Sequence, residues 1–248
     1  MSIKIFSYSK EMADQVKEPT KNLVEAIGLP SIIIQNPQMN QIKEEYLSMR
    51  KTGEKEGYVP VIIIPSDILL ECLEDREEEI NAMIESADRI DPNDCLKKRW
   101  AELTPPEGFD ADFEEFQGGS TSTNFASIED YATGRAYQEL VIAKIPTDKP
   151  WEVAAYIPMG GFNDCPSNEE ILAIFKKWYE QYRAIPAVVS YDIWEMYVEE
   201  PVKTRGESVI LAREQYAFCY DIVDQGCGSI GALAGELYQS NYWYFWWD

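Results

Sequence analysis

Histidine is absent from this 248-residue sequence. Without imidazole there is no Ser-His or Cys-His pair and no ordinary catalytic zinc site, so any chemistry would fall to carboxylates, Lys, Tyr or Cys. Basic residues are scarce: 22 Lys and Arg stand against 44 Asp and Glu, for a net charge of −22. Counterion release from a phosphate backbone needs clustered cations, so no nucleic-acid partner is expected, whereas a basic protein partner suits this charge. No apolar run approaches the ~18 residues needed to cross a bilayer, and the opening MSIKIFSYSKEMADQ turns polar after one short apolar stretch. A soluble, cytoplasmic protein without membrane contact is the expectation. The five cysteines, Cys72, Cys95, Cys165, Cys219 and Cys227, are odd in number and lack C-x-x-C spacing. Neither a disulfide framework nor a zinc knuckle follows, and reduced thiols are expected. Neither the dinucleotide fingerprint nor a Gly-Lys-Ser/Thr phosphate loop occurs, and no cofactor is expected.

Aromatic residues are plentiful, and six of them crowd the last eight positions, from Asn241 to Asp248. Alternation places Trp243, Phe245 and Trp247 on one side and Tyr242, Tyr244 and Trp246 on the other. With no polar face, this segment reads as an interior strand covered on both sides. On that reading Trp246→Ala should cost about 3–5 kcal/mol.

Upstream, Ile3–Phe6 and Ser31–Ile34 read as short strands, Lys10–Ile27 as a helical stretch broken near Pro19, and Met39–Met49 as a helix before a charged loop, KTGEKEG. Tyr58–Ile64 is a continuous apolar run typical of a buried strand, and the helix capped by Ser66 and Asp67 is expected to continue from Ile68 to Ala87. The stretch FDADFEEF, Phe109–Phe116, gathers four carboxylates but lacks the glycine and ligand spacing of a calcium loop, so no metal site is expected.

In the second half, Glu139–Ile145 and Trp151–Ile157 are expected as a hairpin. Ser167 and Glu170 form a capping box for a helix ending at Arg183. Pro186–Tyr197 reads as one extended segment, Glu207–Val223 and Ile230–Tyr238 as helices, and the aromatic tail as the closing strand. The C-terminal order is then β-β-α-β-α-α-β. The fold class is α+β, a mixed sheet flanked by helices, divided into a variable N-terminal region 1–125, expected to extend the same sheet, and a C-terminal unit 126–248.

Three features are candidate sites. Gly160 and Gly161 sit between a strand and a helix where phosphate loops occur, but Asp164, Glu169 and Glu170 follow and would repel a phosphate. With Phe162, Asn163, Asp164 and Gln225 they form the candidate binding set. Cys165 lies near a helix N-terminus, where its thiol would be favoured as a thiolate, against which Asp164 acts. Glu214 and Asp221, seven residues apart on one expected helix, offer paired carboxylates, either as a structural network or, with Asp164, as an acid/base pair.

The series Pro150-Trp151 with Ala154, Ala155 and Tyr156, then GGFNDCP at Gly160–Pro166, then Trp178 and Tyr182–Ala184, resembles the bacterial domain-of-unknown-function family 4253. The similarity continues through Pro201, AREQYAFCYDIVDQG at Ala212–Gly226 and WYFWWD at Trp243–Asp248, covering roughly Tyr137–Asp248. Two departures are Phe162, where the family often has Trp, and Arg183, where glycine is usual. The resemblance implies a bacterial, cytoplasmic protein and carries no activity with it. Two functional expectations stand: a binding protein, of the immunity type that blocks a basic toxin or enzyme, or a small-molecule hydrolase using Asp164, Cys165, Glu214 and Asp221.

Overall fold

The computed structural model describes residues 2–74, 79–103, 115–130, 134–159 and 164–248. Its elements run β1 (Lys4–Ser7), α1 (Glu18–Ile27), β2 (Ser31–Gln35), α2 (Met39–Glu56), β3 (Val59–Ile63), α3 (Asp67–Glu74), α4 (Ile80–Ala87), α5 (Pro92–Glu102), β4 (Glu129–Asp130), β5 (Arg135–Ala136) and β6 (Glu139–Ile145). They continue with α6 (Val153–Tyr156), α7 (Asn168–Tyr182), β7 (Ala184–Val189), β8 (Ile193–Val198), α8 (Arg205–Phe218), α9 (Ile230–Leu237) and β9 (Tyr242–Trp246).

Seven strands form one mixed sheet in the order β1-β2-β6-β3-β7-β8-β9, with β4 and β5 in a small ribbon of their own. Among the described residues only the β3–β7 pairing is parallel. The all-apolar β3, expected from its unbroken Val and Ile run, lies between β6 and β7 and is fully buried. Helices bury both of its faces. One face carries Ile33, Val61, Val141, Trp194, Trp243 and Phe245 against most of the helices; the other carries Ile34, Ile62 and Ile142 against Ile42 and Tyr46 of α2. The α+β class and the mixed sheet flanked by helices therefore hold.

Several local expectations are corrected. Trp151–Ile157 is not a strand: Pro150 opens a 3-10 turn that passes into α6, where Ala154 and Ala155 favour helix. The buried Glu152 carboxylate fixes that turn, accepting from the Thr147 hydroxyl at 2.6 Å and pairing with Lys149 at 3.1 Å. The extended Pro186–Tyr197 segment is two strands, β7 and β8, because Ser190 and Asp192 bond each other and form a turn. The expected Ile68–Ala87 helix is interrupted, with Glu79 in an extended conformation. Its two parts serve different partners: α3 packs on α1 while α4 packs on α7. The KTGEKEG stretch is not a loop, since α2 runs through it to Glu56 and stops at left-handed Gly57.

The aromatic tail is a strand, as expected, but not an interior one. Among the described residues it pairs with β8 alone and closes one edge of the sheet. Trp243, Phe245 and Trp247 are buried, with Phe245 stacked on Trp178 at 5.4 Å and 6°. Tyr244 is 37% exposed and Trp246 half-buried, so the second face is only partly covered. An all-aromatic segment can sit at an edge because the helical layer buries one face and tyrosine tolerates water on the other.

The capping box of Ser167 and Glu170 opens α7. Thr204 and Glu207 form a second, at α8. Arg183 ends α7 in the left-handed region, φ 51°, a conformation glycine takes freely and a side chain does not. Its guanidinium lies over the Tyr179 ring at 4.0 Å, a contact that helps offset this cost.

Candidate functional site

Of the residues singled out in the C-terminal half, Asp164, Cys165, Asp221 and Gln225 lie around the end of α8. Helical geometry stops at Phe218, and Cys219 is extended, with φ −146° and ψ 93°. The chain then enters a π-helical turn, Ile222–Cys227, with Gly226 outside helical dihedrals. Such wide turns recur at functional sites and also where a helix must admit an extra residue. Asp221 therefore does not lie on the helix that carries Glu214, and seven-residue spacing does not put the two carboxylates on one face.

Each carboxylate has its own donors. Glu214, on α8, accepts from the Lys177 ammonium and from the Trp178 indole N–H at 3.1 Å, both on α7. Lys177 is buried, and this pair links two helices over the tail strand. Asp221, also buried, accepts from the Gln225 amide at 2.9 Å and from the backbone N–H of Asp248 at 3.2 Å. Gln225 also reaches the Asp248 carboxylate at 3.4 Å. Asp221 and Gln225 are thus brought together, and they tie the π turn to the end of the tail.

Asp164 is exposed; its main-chain carbonyl accepts from the Arg99 guanidinium, which also donates to the Ala217 carbonyl at 2.9 Å. Its carboxylate bonds the Tyr220 hydroxyl, whose pKa is raised first by burial and then by Asp221 and Asp164. Cys165 is half-buried and close enough to Cys219 for charge on one to oppose charge on the other. Gly160, Gly161, Phe162 and Asn163 lie outside the described residues, as do Phe109–Glu114 of the FDADFEEF stretch.

The thiols with a resolved shift are held protonated. Burial pushes Cys219 well above the ordinary range, and its thiol donates to the Trp246 carbonyl at 3.0 Å. Burial also raises Cys95 to about 12 and Cys227 to about 11. A protonated thiol is a poor nucleophile. None of the five cysteines forms a disulfide, and no group of three or more candidate metal ligands occurs among the described residues.

One carboxylate was missed by sequence reasoning. Glu195, at the centre of β8, is 1% exposed and accepts the backbone N–H groups of Ala126 and Ser127 at 2.8 and 2.7 Å. Burial raises its pKa to about 7, although those same hydrogen bonds favour the charged form. The signal was present as one acid inside an apolar strand pattern, IWEMYV. A shallow groove of about 270 Å³ lies elsewhere, between the α4–α5 connection and α7, lined by Asp88, Asn93, Lys176 and Glu180.

Fold and site together define a mixed-sheet α+β protein whose inward-facing acids are hydrogen-bond acceptors between elements. Residues 141–248 match the family described as Domain of unknown function (DUF4253). No curated protein and no solved structure matches the chain.

Proposed function

We propose that this chain is a binding protein for a basic protein partner, in the manner of an immunity protein that blocks a basic toxin or enzyme. The observation that carries the reading is the division of labour among its acids. Glu195, Glu214 and Asp221 are engaged inside the fold, while Glu44, Glu54 and Glu56 of α2, Asp67, Glu71 and Glu74 of α3, and Asp91 and Asp94 at α5 are exposed. With a net charge of −22, such a surface attracts cationic partners and speeds their encounter. A bacterial cytoplasm, which keeps thiols reduced, suits five cysteines without a disulfide. No helix among the described residues is long and apolar enough to cross a membrane.

The test is titration with a small folded protein of strongly basic pI at low and high salt. Affinity should weaken by more than about tenfold between roughly 50 and 500 mM salt, because surface attraction is screened beyond a Debye length. No binding at low salt, or an affinity indifferent to salt, would reject the reading.

A further inference from the structure

The two edges of the sheet are not alike. At β9 the outward main-chain groups are largely occupied from within: the Ser240 hydroxyl serves Tyr242, the Cys219 thiol donates to the Trp246 carbonyl, and the Ile222–Cys227 turn packs against the strand. At β1 the pairing fixes which groups turn outwards. Tyr8 donates to the Ser31 carbonyl at 2.9 Å, one step beyond the Ser7–Ile32 pair, so Lys4, Phe6 and Tyr8 turn their peptide groups towards β2. The next ladder agrees. Lys144 donates to the Pro30 carbonyl and Asn36 to that of Gln138, so Ile32 and Ile34 face β6 and leave Ser31, Ile33 and Gln35 for β1. Ile3, Ile5 and Ser7 therefore turn theirs outwards, and among the described residues nothing in the chain bonds these N–H and C=O groups.

Edge strands are normally protected by a charge, a proline or a bulge. Lys-Ile-Phe-Ser has no proline, and its register with β2 runs without a shift. Its one charge is Lys4, whose side chain stands on the opposite face from that of Ile5. Ile5 is 42% exposed, among the most exposed large apolar side chains of the fold, and it lies at the middle of the three outward positions. It pairs with Ile34, so its side chain is on the face that α2 covers further in.

Charge and symmetry select the occupant. Residues 1–27, through the end of α1, carry four Lys against four Asp and Glu, in a chain whose net charge is −22. The Tyr8 hydroxyl on Glu25 and the Gln35 amide on the Gln15 carbonyl hold this balanced segment beside β1 and β2. Two copies therefore meet here with less repulsion than their overall charge would give, whereas a basic segment would meet Lys4. We propose that β1 pairs antiparallel with β1 of a second copy, joining two seven-stranded sheets across a twofold axis at Ile5. An antiparallel edge is its own complement about such an axis. In this register Ile5 faces Ile5 of the second copy, Ile3 faces Ser7, and Lys4 lies opposite the half-buried Phe6 and not opposite another lysine. About six main-chain hydrogen bonds would form, and the exposed Ile5 would be covered. This contact is independent of the basic-partner reading, whose affinity falls as salt rises.

The experiment is sedimentation equilibrium of the full chain at low and high salt, with amide exchange read at two protein concentrations. A short edge gives a modest dimer, with Kd on the order of 10–100 μM. Association should tighten at least about threefold between roughly 50 and 500 mM salt, because repulsion between two acidic chains is screened while main-chain bonds are not. Raising the concentration should slow exchange at Ile5 and Ser7, while Phe6, already bonded to β2, stays unchanged. Ile5→Lys sets two like charges opposite each other and should weaken the dimer at least about tenfold. If that variant does not fold, exchange in the wild-type chain decides. A monomer up to about 1 mM at high salt, or a dimer that loosens as salt rises, would overturn the proposal. So would a dimer that leaves the Ile5 and Ser7 amides unprotected. Protection of those two amides by a lysine-valine peptide, without dimerisation, would make a basic segment the occupant and would also overturn it.

Discussion

The backbone N–H of Ser127 donates to the Glu195 carboxylate at 2.7 Å, across 68 residues of sequence. With the Ala126 N–H on the other oxygen, it clamps the segment that inserts Phe125 and Ile128 into the second core. Tyr242 and Tyr244 of the neighbouring strand are the titratable groups that feel the Glu195 charge, and no cation pairs with it among the described residues.

This makes stability fall with rising pH. The unfolded carboxyl titrates near 4.5 and the folded one near 7, so the folded state binds more protons between those values. The contribution is full below about pH 4.5 and lost above about pH 7, with a swing on the order of 3 kcal/mol. Urea unfolding at pH 5 and pH 8 should show it. Glu195→Gln should flatten that slope, and an unchanged slope would assign the pH dependence elsewhere.

The buried Lys177–Glu214 pair should behave asymmetrically. Glu214→Ala leaves a buried ammonium and should destabilise by about 3 kcal/mol, at the low end for such pairs because Glu214 is partly exposed. Lys177→Met with Glu214→Leu should recover most of that loss in equilibrium denaturation. If the double variant is no better than the single one, the Trp178 indole bond is the interaction that counts.

Phe245 and Trp246 should separate cleanly. Phe245 is fully buried and stacked on Trp178, so Phe245→Ala should cost about 3–5 kcal/mol. Trp246 is half-buried with its indole on Asp192, and Trp246→Ala should cost about 1–2 kcal/mol, less than an interior position would. Denaturation midpoints of the two variants check the order.

On α9, a Cβ at Gly231 would stand 1.7 Å from the Glu115 carbonyl oxygen, and one at Gly235 would stand 2.0 Å from that of Gln117. The Gln117 N–H donates to the Gly231 carbonyl at 2.9 Å, so the backbone of this segment lies directly against the helix. Gly231→Ala should gain helix propensity yet still destabilise by about 1–3 kcal/mol, and should speed exchange of the Gln117 amide. Unchanged exchange would show that the contact adjusts without separating.

The sequence by itself determined what depends on neighbours along the chain. The unbroken Val and Ile run of β3, the capping box of Ser167 and Glu170, the apolar face of α7 and the strand character of the tail follow from propensity, capping and alternation. The missing histidine and the charge of −22 bound the chemistry whatever the fold. Tertiary structure decided what depends on distant partners. Only the sheet order could place β9 at an edge, because an aromatic strand looks the same from within whether one neighbour or two pair with it. Only the break at Cys219 could separate Glu214 from Asp221, since the local pattern continues as a helix while the chain turns to meet Asp248. Glu195 was likewise hidden: the two N–H groups that allow a carboxylate to be buried lie 69 and 68 residues away, and no local rule reaches that far.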